Sequence, residues 1–208
     1  MPDDLSRYFI TAGIQSAGTL KRAQYFLRLA ERASTEEDRC SLAGAAIILA
    51  IAYLSQGVEF WLVQALANAA VEDGRRPSKP ELQEQLPGGL TARMRRLATV
   101  LGGSRLHLDE TQPATVRLIS AIRLRNRLIH EAREHVMGSL ADIDSSLVGS
   151  VLTIRLQIPE DPWQEVTLEL ARFVVDASEA YFEDLERVVQ NESLSRSTFF
   201  RRSLYRGQ

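Results

Sequence analysis

Arg125, Asn126 and His130 bring a guanidinium, an amide and an imidazole together within six residues of one helical stretch. An imidazole titrates close to neutrality, so it can both take and give a proton. A guanidinium presents a planar fork of N–H donors to anionic oxygens. At about 100° per residue, Leu118, Ile119, Ala121, Ile122, Leu128, Ile129 and Ala132 form an apolar arc. Arg125 falls near the middle of that arc, Asn126 inside one edge and His130 just past it. Arg123, Arg127 and Glu131 take the opposite, solvated side. Arginine is rarely buried without a partner, so Arg125 calls for an acid or for a subunit interface. Anomalies of this kind gather at functional sites.

Asn126 and His130 are four apart and share a helix face. Arg125 stands about 140° from His130 around the axis, so the two converge only through side-chain reach or a second copy of the chain. The alternative is structural: Arg125 paired to a buried acid, with His130 at a rim. Glu59, in an otherwise apolar helix, is the acid expected to support or neutralise Arg125.

The elements that must position these residues read as a mainly α-helical bundle, one domain over residues 1–190 with a tail at 191–208. A first helix is expected to about Ala33. A capping box, Ser34 answered by Glu37, starts a second from about Thr35 to Glu72, and the short connection makes the pair an antiparallel hairpin. Gly and Pro mark a loop at 73–80. Short helices follow at about 80–85 and 90–101, the second ended by Gly102-Gly103. Thr111 and Pro113 read as the cap and first turn of the helix carrying Arg125, which runs to about Val136. Leu152, Ile154, Leu156 and Ile158 alternate as a half-buried strand, and Trp163 to Thr167 is expected to return, giving an inserted β-hairpin at about 151–167. From about Leu168 the spacing is helical again.

Composition narrows the chemistry. The chain has 208 residues and a formal net charge of −2, so nucleic-acid contact would have to come from local patches. Its single cysteine, Cys40, supports neither a disulfide framework nor a cysteine metal site, and reads as a small buried hydrophobe. No H-x3-H, H-E-x-x-H, phosphate-binding glycine loop or dinucleotide fingerprint is present, so neither a metal nor a cofactor is expected. Residues 41–58 are uncharged and touch the length of a membrane span, but interspersed Ser, Gly and Gln favour a central bundle helix. The start of the chain has no basic-then-apolar leader, and a cytoplasmic protein without membrane contact is expected.

The stretch Ile122-Arg123-Leu124-Arg125-Asn126-Arg127-Leu128-Ile129-His130-Glu131 resembles the signature of the HEPN superfamily: an Arg, a polar residue, then a His a few positions on. The helical hairpin before it and the helix after it agree with that architecture. The resemblance implies a metal-independent endoribonuclease, of toxin or anti-phage-defence type, with a composite site where two protomers meet. His130 would then serve as general base or acid, Arg125 would stabilise charge on the phosphate oxygens, and Asn126 would orient the phosphate or the imidazole. RNA is the implied substrate, a second copy the implied partner, and an antitoxin or regulatory protein a further one. Some relatives carry a Tyr two positions after the His. Ala132 stands there instead, so tyrosine modification at that point is not expected. Other members have lost activity, and the alternative reading is an inactive dimerisation or RNA- or nucleotide-binding module.

Basic residues cluster despite the acidic total. Arg123, Arg127 and Arg133 flank the motif, while Arg201 and Arg202 lie with Phe199, Phe200 and Tyr205 in the tail. Such arginines suit contact with RNA backbone, and the aromatics suit base stacking. The tail aromatics equally suit packing onto a neighbouring surface. Arg93 to Arg96 read as a solvated face and His107 as an exposed loop residue.

Overall fold

Thr35, in an extended conformation, accepts the Asp38 backbone N–H at 3.1 Å and so starts a helix of 37 residues. The expected cap, Ser34 with Glu37, is therefore displaced by one residue: Thr35 and Asp38 repeat the same spacing one position later. In a computed structural model, the backbone of residues 4–75, 77–86, 88–103, 106–141, 161–190 and 197–202 is described, with the side chains of all but 4–17, 79 and 130–141.

The helices are α1 (Asp4–Arg32), α2 (Glu36–Glu72), α3 (Lys79–Glu84), α4 (Leu90–Gly102), α5 (Pro113–Ala141) and α6 (Leu168–Val189). Strands β1 (Leu106–Leu108) and β2 (Phe200–Arg202) pair antiparallel, with Leu106 opposite Arg202 and Leu108 opposite Phe200. The described fold is thus mainly helical with one small sheet. That sheet is not the expected hairpin. Trp163 to Thr167, read as a returning strand, instead contains a 3-10 turn, Pro162–Glu165. Pro162 presets the turn and Asp161 accepts the Trp163 N–H at 2.9 Å, so local capping prevails over the alternating pattern. The expected strand at Leu152–Ile158 lies outside the described residues.

Helix α2 is the centre of the bundle. Ala43, Ala46, Ile47, Ala50, Ile51, Leu54, Val58 and Leu62 are buried along it, and α1, α4 and α6 pack around it. Among the described residues it is the one helix long and apolar enough to cross a membrane. Two glycines let neighbours approach its backbone. A Cβ at Gly44 would stand 2.5 Å from the Trp163 ring, and one at Gly57 only 2.2 Å from Phe182 Cζ. Cys40 is half-buried, and its thiol lies 3.4 Å from the Trp163 carbonyl; burial, then the charges of Asp161 and Glu36, push its pKa up.

The α5 helix starts through Asp109, not through a Thr111 cap. The Asp109 carboxylate accepts the Thr111 N–H at 3.1 Å and its hydroxyl at 2.6 Å, while the Gln112 carbonyl accepts the Val116 N–H at 3.0 Å. Pro113 is then the first helical residue, where a missing donor is harmless.

Candidate functional site

Leu118, Ile119, Ala121, Ile122, Leu124 and Leu128 are buried and seat α5 on the bundle, as the arc requires. Arg125 is half-buried among them, while Arg123, Asn126 and Arg127 face outward. The Arg125 Nη1 donates to Asn126 Oδ1 at 3.1 Å, so the structure brings these two motif residues together. Its Nε is buried and has no hydrogen-bond partner among the described residues, and the side chain forms no ion pair there. Desolvation by burial holds the guanidinium below its ordinary pKa.

Glu59 does not serve as the expected partner of Arg125. Its carboxylate receives Arg93 Nη1 at 2.9 Å across the α2–α4 contact. Arg93 is expected on a solvated face, but packing of α4 on α2 sets it against the acid in the otherwise apolar helix. The Arg125–Glu59 pair of the structural alternative is therefore not formed, and no other acid among the described residues takes its place.

His130 follows Asn126 by four on α5, and its side chain lies outside the described side chains, as does that of Arg133. Arg127 forms an ion pair with Glu165 of the 3-10 turn, bracing the motif helix against that segment. Arg117 bonds Glu169 at 2.7 Å and lies over the Phe173 ring, 4.4 Å from its centroid. These contacts fix α5 between the turn and α6.

The tail residues separate. Phe199 and Phe200 are buried and pack on Tyr181, with ring centroids at 5.6 and 5.3 Å. They are core, unavailable for base stacking. Arg201 and Arg202 on the same strand are exposed, with Arg201 Nε 3.9 Å from Asp109. His107 lies on β1 opposite Arg201 rather than in a loop.

Sequence reasoning did not find Asp184. This buried carboxylate accepts the Ser197 hydroxyl at 3.0 Å and the N–H groups of Thr198 and Phe199 at 2.6 and 3.1 Å. It thereby ties residues 197–199, and β2 beyond them, to α6. An acid amid the apolar spacing Tyr181–Leu185–Val188 was the available signal, the same kind of anomaly that marks Arg125.

Comparison with known protein families, curated proteins and solved structures finds no match.

Proposed function

We propose that this protein is a HEPN-like, metal-independent endoribonuclease of toxin or anti-phage-defence type, acting in the cytoplasm as a homodimer. The reading is carried by Arg125: a partly desolvated guanidinium with no acid among the described residues, hydrogen-bonded to the neighbouring Asn126. A cation that no described acid neutralises, held where water is partly excluded, is suited to negative charge that develops on a substrate. The order of elements supports the same reading, since a long helical hairpin, α1–α2, precedes the motif helix and α6 follows it.

In the proposed reaction the 2′-oxygen of a ribose attacks the adjacent phosphorus as its proton passes to an imidazole. The bond to the 5′-oxygen breaks and that oxygen receives a proton. The products are a 2′,3′-cyclic phosphate and a 5′-hydroxyl. His130 supplies proton transfer, Arg125 stabilises the phosphorane oxygens, and Asn126 orients the guanidinium or the phosphate. Two copies of α5 meeting at a two-fold axis would join Arg125 of one protomer to His130 of the other, resolving their divergence on one helix.

The test is incubation of wild-type protein and His130→Ala with total RNA and tRNA in EDTA, followed by end-group analysis. Cyclic-phosphate ends from wild type alone support the reading. Cleavage that survives in His130→Ala, or that needs added metal, overturns the mechanism. Cleavage by neither protein, with RNA nevertheless bound, assigns an inactive binding module.

A further inference from the structure

Glu110 sits where three basic elements meet. Its carboxylate takes Nε and Nη2 of Arg95, from α4, at 2.6 and 2.8 Å. That hydrogen bond, then the charges of Arg95, Arg123 on α5 and Arg201 on β2, holds its pKa below the usual carboxylate range. The other nearby acid, Asp109, is engaged by Thr111 in the turn that starts α5. Three guanidiniums therefore face two carboxylates, Glu110 and Asp109, the second of which lies 3.9 Å from Arg201 Nε and is also bonded by Thr111. Beside Arg95 lies an open cleft of about 570 Å³ whose wall includes Arg96 and Thr99. Arg123 is exposed and stands three residues before Asn126, on the adjoining part of the same helix surface.

We propose that Arg95, Arg123 and Arg201 form a docking subsite for the sugar-phosphate backbone of single-stranded RNA, with Glu110 as the intramolecular anion that a phosphate displaces. The inference rests on the ribonuclease reading, because it sets the strand one helical turn from Asn126, the hydrogen-bond partner of Arg125. A carboxylate held by two parallel N–H bonds occupies the geometry that a phosphate's paired oxygens take on a guanidinium fork. Exposed ion pairs are weakly held, so a polyanion that engages several guanidiniums at once, and releases its counterions, can replace Glu110. Asp184 acts at a distance: by anchoring residues 197–199 it sets the strand that carries Arg201.

The experiment is fluorescence anisotropy of a labelled single-stranded RNA oligonucleotide across a salt series, using the full chain with His130→Ala so that the strand stays intact. Arg123→Gln and Arg201→Gln in that background should each weaken binding and reduce the slope of log affinity against log salt by about 0.7. Glu110→Gln should tighten binding, a gain that damage to the fold cannot produce. Unchanged slopes in both arginine variants, or weaker binding by Glu110→Gln, overturn the subsite. So does displacement of the strand by adenosine monophosphate at an equal phosphate concentration, which would assign a free mononucleotide instead. Cleavage by wild type with unchanged slopes rejects the subsite alone. The expected slopes without cleavage by wild type reject the nuclease reading alone.

Discussion

Asp184 accepts the backbone N–H of Phe199, fifteen residues further along the chain, at 3.1 Å. The same oxygen takes the N–H of Thr198, and Phe199 seats its ring against Tyr181. One carboxylate therefore converts a segment with a basic, aromatic composition into part of the core. Asp184→Ala would remove the acceptor shared by the Ser197 hydroxyl and the Thr198 and Phe199 N–H groups, leaving the buried Phe199 N–H only its longer bond to Ser197 Oγ at 3.3 Å, and should destabilise the protein by about 2 kcal/mol. Urea unfolding measures this, and limited proteolysis should cut first near residue 197. Wild-type stability and cleavage in the variant would show that the segment needs no anchor.

Gly57 and Phe182 compete for one volume. Alanine is the better helix former by about 1 kcal/mol, so an open site would gain from Gly57→Ala. Here the added Cβ would meet Phe182 Cζ at 2.2 Å, and that ring is held edge-on by Tyr53 and Tyr181. Overpacking should win, with a net loss of about 1–3 kcal/mol by chemical denaturation. Phe182→Leu in the Gly57→Ala background should recover part of the loss, because it removes the colliding edge.

Arg125 offers a test in which stability and activity move in opposite directions. Its buried Nε lacks a partner among the described residues, and desolvation disfavours its charge. Arg125→Met reaches about as far as the buried Nε and removes both penalties, so it should gain about 1 kcal/mol, or about 2–4 °C in Tm. RNA cleavage should disappear, as it should in Arg125→Ala. A loss of stability in Arg125→Met would show that the guanidinium has a stabilising partner in the fold.

Asp109 gives a pH dependence of definite sign. Hydrogen bonds from Thr111, with a contribution from the Arg201 charge, lower its pKa in the folded protein, although burial opposes them. Its unfolded value is about 4. The carboxylate therefore adds stability above about pH 4, and that stability is lost as pH falls through the lower folded value. Wild type should exceed Asp109→Asn in stability at pH 7, with the gap narrowing below pH ~4. A gap that is constant with pH would mean that the carboxylate charge contributes nothing.

Much of the architecture follows from local patterns. Thr35 with its acidic first turn, the apolar circumference of α2, Gly103 at a positive φ of 63° and Thr167 before Leu168 mark helix ends that neighbouring residues largely dictate. Arg125 was legible for the same reason, since a 100° repeat shows a guanidinium among Leu118, Ile122 and Ile129. What tertiary structure decided was pairing between distant groups. No periodicity distinguishes Arg93 from Arg125 as the partner of Glu59; the packing of α4 against α2 does. Three-residue strands, 92 positions apart from Leu108 to Phe200, have no local signal and exist because Asp184 and the Tyr181 cluster hold one beside the other. Local sequence sets dihedral preferences and faces, whereas a specific acid–base pair or strand pair requires the closed core that brings its members within hydrogen-bond reach.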